Sequence, residues 1–135
     1  MVASRPMLSW KRPANLGATN GRLAPCKRTP NCVSSQADPR DREHYITPIS
    51  FRGSMDELRR AVQSMERATV ISAERNYLYA EFRTRLMRYV DDVELYYDEP
   101  AGLVHVRSAS RLGRRDFGVN RKRVEALRAL IQASR

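Results

Sequence analysis

The residues best suited to chemistry in this chain are arginines and serines beside a helix start. Arg107-Ser108-Ala109-Ser110-Arg111-Leu112-Gly113-Arg114-Arg115-Asp116-Phe117-Gly118-Val119-Asn120-Arg121 reads as a strand end, a loop with two glycines and a helix opening near Asn120. A helix N-terminus offers unpaired N–H groups and a partial positive charge. With Arg107, Arg111 and Arg121 for charge, and Ser108, Ser110 and Asn120 as donors, the stretch suits a phosphate or carboxylate. The competing reading is structural. The same arginines would pair with Asp91, Asp92 and Glu94, while Asp116 or Asn120 caps the helix.

A second candidate is Cys26-Lys27-Arg28-Thr29-Pro30-Asn31-Cys32. Five residues between the cysteines is not the spacing of a zinc knuckle, and only His44 and His105 are available to complete four ligands. No metal is expected. A disulfide is geometrically allowed and would stabilise by about 2 kcal/mol in an oxidising compartment. A pair of thiols, buried or weakly redox-active, is the expectation for a cytoplasmic chain.

Catalysis has candidate groups but no motif. Ser34, Ser35, Ser108 and Ser110 are nucleophiles in type, His44 and His105 are bases, and several Asp or Glu are available. No Gly-x-Ser-x-Gly elbow, His-Glu-x-x-His pair or Walker-type loop organises them. No cofactor is expected either. Nucleic acid is a third class, suggested by Arg114-Arg115 and Arg121-Lys122-Arg123. No helix-turn-helix spacing, RNP motif or KH loop accompanies these cations, so charge alone supports it.

The elements that must position these groups follow from periodicity. Six of the seven prolines lie in residues 1–50, which predicts a Pro-rich N-terminal arm, its first fifteen residues mobile. Ser54-Met55-Asp56-Glu57 is a capping box. Met55, Leu58, Ala61, Val62 and Met65 then give a helical stripe over 55–66. Four alternating strands follow at 68–74, 77–83, 89–97 and 103–109. A second helix over 119–133 has Val124, Leu127, Leu130 and Ile131 as its stripe. The prediction is an α+β single domain, residues 16–135, with a four-stranded antiparallel meander and both helices on one face. In the last hairpin, keeping Val93 and Leu95 beside Val104 and Val106 pairs Leu95 with Val106. That sets Glu94 opposite Arg107 and Tyr96 opposite His105.

Composition bounds these readings. The chain has 135 residues, 25 Lys+Arg against 15 Asp+Glu, and a net charge of +10. At 41% hydrophobic and 30% charged it is suited to a folded core, not to disorder. No apolar run reaches the ~20 residues of a spanning helix. No secretory leader pattern opens the chain, so a cytoplasmic address is expected. The charge is segregated: residues 61–105 are net acidic, and both flanks are basic. Packing the ends onto the middle neutralises part of the excess.

Five blocks in order carry a family resemblance. They are Leu23-Ala24-Pro25-Cys26, Pro30-Asn31-Cys32-Val33-Ser34-Ser35, Val90-Asp91-Asp92-Val93-Glu94, Arg107-Ser108-Ala109-Ser110-Arg111 and Gly118-Val119-Asn120-Arg121. From Leu16 to Ile131 the chain resembles the domain-of-unknown-function 1499 family of bacteria and plant plastids. It departs from the family pattern at Lys27 and Thr29, and at Arg114-Arg115-Asp116-Phe117-Gly118, which adds positive charge. The resemblance implies a small domain whose polar blocks converge, and no assigned reaction. Many relatives carry a signal sequence or membrane anchor before the first cysteine, a context in which a disulfide is sensible. The resemblance also implies that the arm folds back over the acidic strand and the Arg107–Arg121 loop. The best functional reading is a non-enzymatic binding or accessory protein for a small anionic ligand or a protein partner. Arg107, Arg111 and Arg121 would hold the anion and Asp91 and Asp92 would orient them. The alternatives are an enzyme with Asp92 or His44 as base, and a nucleic-acid binder.

Overall fold

The computed structural model describes residues 11–86, 89–113 and 115–134. Its elements are β1 (Cys32–Ser34), β2 (Ile49–Ser50), α1 (Met55–Gln63), β3 (Ala68–Glu74), β4 (Tyr77–Arg83), β5 (Val90–Asp98), β6 (Leu103–Ser110) and α2 (Val119–Ala133). The protein is α+β. Strands β3 to β6 form the expected antiparallel meander. The sheet has six strands among the described residues, not four, in the order β1-β6-β5-β4-β3 with β2 also on β6. The two extra strands come from the proline-rich half. β1 pairs with the far end of β6, Cys32 opposite Ala109, and β2 pairs with its near end, Ile49 opposite Val104. Strands of three and two residues show no alternation, and their partner lies more than fifty residues on. Local pattern therefore does not find them. The mobile stretch expected over residues 1–15 lies outside the described residues up to residue 10. Within the remainder, Arg12 is paired to Glu81.

Helix α1 starts where its capping box places it. The Glu57 amide donates to Ser54 Oγ at 3.2 Å, and the Ser54 amide donates to Glu57 Oε1 at 2.9 Å. It stops at Gln63, three residues short of the expected end, because the chain turns through Arg67 at φ +60° to enter β3. Helix α2 has the expected bounds, with Gly118 at φ +79° as its N-cap, a conformation that glycine adopts without cost.

Leu58 and Val62 of α1 and Val124, Leu127 and Ile131 of α2 pack on Leu78, Ala80, Val93, Leu95, Val104 and Val106. Both helices thus cover one face of the sheet, and the core lies between. The β5–β6 register is the expected one: Leu95 opposite Val106, Glu94 opposite Arg107, Tyr96 opposite His105. The turn closes at Gly102, φ +66°, where a Cβ would stand 2.7 Å from the Arg52 guanidinium. Side-chain alternation along β5 now decides everything polar. Asp91 shares the helix side with Val93 and Leu95, whereas Asp92 and Glu94 point to the other face.

Candidate functional site

On the helix side, Asp91 accepts from Arg123 of α2 at 2.8 Å. Burial pushes the Asp91 pKa up, and this outweighs the opposing pull of Arg123 and Ser110. Ser108 donates to Asn120 Oδ1 at 2.6 Å, which also accepts from Arg123 at 2.8 Å. The Asn120 amide donates to Asp116 Oδ2, Ser110 Oγ and the Asn31 carbonyl. Asp116 further accepts the backbone N–H groups of Gly118 and Asn120. The start of α2 is therefore closed by a carboxylate of the chain itself, the capping alternative read from the sequence.

The opposite face carries the second cluster. Asp92 accepts two hydrogen bonds from Arg111, each 2.9 Å, and one from the Tyr79 hydroxyl at 2.5 Å. Glu81 accepts from Arg111 at 2.8 Å, Tyr79 at 3.0 Å and Arg12 at 2.6 Å. Glu94 accepts from the Tyr77 hydroxyl at 2.5 Å and the Gly17 amide at 2.7 Å. Burial and the adjacent carboxylates push both tyrosine hydroxyls well above their ordinary pKa. They therefore act as donors. Among the described residues no helix covers this face. The N-terminal segment crosses it instead, clamped at Arg12 and Gly17, with Gly21 at φ +73° lying against the Tyr96 ring.

Arg107 differs from its neighbours. It is 4% exposed, yet its one ion-pair contact among the described residues, to Glu94 Oε1, is 3.5 Å long. Its Nε is buried with no hydrogen-bond partner among the described residues. It lines a cavity of about 380 Å³. Lys11 and Asn15 of the crossing segment, Lys27 and Asn31 of the cysteine loop, and Asp92 and Arg111 of the sheet close the rest of it. Ser110 reaches the same cavity from the end of β6. Four cations thus face one carboxylate, and that carboxylate is already held by Arg111 and Tyr79.

Of the residues singled out from sequence, Asp92, Arg107, Ser110 and Arg111 meet at this cavity. Asp91, Ser108 and Asn120 sit across the sheet, and Glu94 braces Arg107 and the crossing segment. Arg121 lies apart, donating to the carbonyls of Arg42 and Glu43. Arg123 is turned inward onto Asp91 and the Phe82 ring, and Arg114 lies outside the described residues. His44 has both ring nitrogens engaged, with Asp41 at 2.8 Å and the Thr29 carbonyl at 2.9 Å. His105 contacts Ser35 Oγ at 3.0 Å, and that oxygen also accepts the Val106 amide. Burial lowers the His105 pKa.

Cys26 and Cys32 are joined as a disulfide with Cα atoms 5.7 Å apart. This corrects the expectation of free thiols. Pairing of β1 with β6 folds the intervening loop back on itself, and the bond carries Lys27 to the cavity mouth. Among the described residues no group of three His, Cys, Asp or Glu could hold a metal ion. No helix there is long and apolar enough to cross a membrane.

Sequence reading offers Tyr77 and Tyr79 only as strand tyrosines able to stack bases and does not place them or Glu81 in this cluster, although alternation along β4 and pairing with β5 put all three beside Asp92 and Glu94. Lys11 carries no local signal, and Lys27 stood out only as a departure from the family pattern.

A family model described as a protein of unknown function, DUF1499, matches residues 22–131. Comparison with curated proteins gives no match, and neither does comparison with solved structures.

Two outcomes follow from the buried network. Asp92→Ala strips Arg111 of its bidentate partner and should cost at least about 3 kcal/mol in urea unfolding. A wild-type melting temperature would mean that Asp92 is not a structural partner. Glu81 gives a pH signature. Burial raises its pKa, but hydrogen bonds from Arg12, Tyr79 and Arg111 outweigh this and hold it below the ordinary 4.5. Its contribution is therefore present above pH 4.5 and is lost as pH falls through the depressed value. Glu81→Gln should flatten the acid limb of the stability–pH curve, and an unchanged limb would refute the assignment.

Proposed function

The chain belongs to the DUF1499 family of proteins of unknown function, and from that premise we propose a non-enzymatic binding protein for a small carboxylate or phosphate. The unit concerned is residues 16–135, acting as a single domain. The observation that carries the reading is Arg107. A buried guanidinium with one long contact and a sealed, unpaired Nε leaves a cation short of partners. Burying a charge without full pairing costs several kcal/mol. An anion in the adjoining cavity offsets that cost, and Arg111, Lys11 and Lys27 supply the remaining field. At about 380 Å³ the space is at the small end of ligand sites.

The enzyme alternative draws less support. Asp92 and His44, its candidate bases, are each held by several partners. The nucleic-acid alternative needs the C-terminal cations on one face, whereas Arg121 and Arg123 are turned to different partners.

The cytoplasmic address expected from sequence rested on a missing leader pattern, which is no positive observation. The Cys26–Cys32 bond is one, and disulfides persist in oxidising compartments. The proposed site of action is such a compartment.

Sulfate, phosphate, acetate and malonate titrated against thermal unfolding test the binding. At a hundredfold excess over Kd the bound anion should add about 2.7 kcal/mol. Arg107→Met should abolish the gain and Lys27→Gln should reduce it. No stabilisation by any of the four sinks the reading. For the compartment, protein isolated from its native host without reductant should take up no alkylating label until it is reduced, and then two. Labelling before reduction would return the chain to a reducing compartment.

A further inference from the structure

A groove on the opposite side of the molecule is unrelated to the anion cavity. It runs beside α2, has a volume of about 900 Å³, and is floored by Met65, Phe82, Val119, Ala126, Leu130 and Ala133. Helix α2 buries Val124, Leu127 and Ile131 against the sheet. Val119, Ala126, Leu130 and Ala133 form a second apolar strip on the same helix, and Leu130 is 41% exposed. Arg67, Arg83, Arg85 and Lys122 rim the groove, against one acid, Glu66. Arg67 is paired with Glu66 at 3.5 Å. Arg83, Arg85 and Lys122 have no ion-pair partner among the described residues.

We propose that this groove docks an acidic amphipathic helix of a partner protein. Three features select that occupant. The first is length: lining residues run from Val119 to Ala133, so the groove extends along all of α2, about 21 Å at 1.5 Å per residue. The second is width. The volume spread over that length gives a cross-section of about 40 Å², which suits a helix of ~10–12 Å diameter sunk to about half its depth. A single alkyl chain, roughly 4–5 Å thick at carbon contact distances, would fill only about half of it. The third is charge. Several unpaired cations along two walls call for several spaced carboxylates, as Asp and Glu flanking an apolar stripe provide. A second copy of this chain, at net +10, is disfavoured by repulsion. A flat bilayer does not reach the floor of a concave groove.

The probe is an N-acetylated, C-amidated 18-residue peptide with Leu at i, i+3, i+4 and i+7 and Glu at the remaining positions. Its controls are a scrambled peptide, phosphatidylglycerol vesicles and palmitate. Fluorescence anisotropy should show micromolar binding of the patterned peptide, at least tenfold weaker binding of the scramble, and weakening as salt rises. Amide shifts should map to residues 119–133, 65–67 and 82–85. Ala126→Glu, at an exposed position, should weaken binding at least tenfold with an unchanged melting temperature. Leu130→Gln should weaken it too, and Arg83→Glu with Arg85→Glu should do so mainly at low salt. Equal binding of patterned and scrambled peptides overturns the proposal. So does no binding at millimolar peptide, a shift map elsewhere, or tighter occupation of the groove by vesicles or palmitate. The anion titration reads a different site, so either result can fail without the other.

Discussion

Asp92, Glu94 and the side chains of Arg107 and Arg111 are buried on a sheet face that no helix among the described residues covers. That constraint shapes the rest of the molecule. Charged groups removed from water need partners on nearly every oxygen and nitrogen. The chain provides them from three sources: neighbouring strands give Tyr77, Tyr79 and Glu81, the end of β6 gives Arg111, and the N-terminal segment gives the Gly17 amide and Arg12. The segment is therefore tied down by polar contacts, while the helix face of the same sheet is held by apolar burial. One sheet serves two kinds of core.

Within this network satisfaction is uneven, and the unevenness is what gives the site its chemical character. Arg111 is bound through Asp92 and Glu81, and that environment raises its pKa further, hydrogen bonds to Asp92 outweighing burial. Arg107, in the same cluster, has only its long contact to Glu94 among the described residues. A purely structural network would have no reason to leave one of two equally buried arginine side chains so much less paired than the other. The disulfide bears on the same point, because it fixes the loop that brings Lys27 to the cavity beside Cys32.

The sequence alone accounts for much of the frame. The capping box, both helical stripes and four alternating strands lie where spacing puts them, since these are local signals read over a few residues. The Glu94–Arg107 and Leu95–Val106 pairings were also legible, because one slip would bury an arginine beside Val93. The short strands β1 and β2 were not. Neither has a period of its own, and each exists because β6 presents an unpaired edge.

For the site, residue types were evident but their grouping was not. Asp91 and Asp92 are adjacent in sequence, as are Arg107 and Ser108, and so they read as one cluster. The pleat sends each pair to opposite faces, one to α2 and one to the crossing segment. Lys11 and Lys27 joined the cavity through contacts that span most of the chain. The sequence by itself determined the elements, the meander register and the excess of arginine, because these depend on neighbours a few residues apart. Tertiary structure alone decided that β1 and β2 join β6, that Lys11 and Lys27 meet the sheet at one cavity, and that Arg107 is left short of partners among the described residues. Each of those depends on groups brought together from distant positions, and on which face of a strand a side chain happens to point.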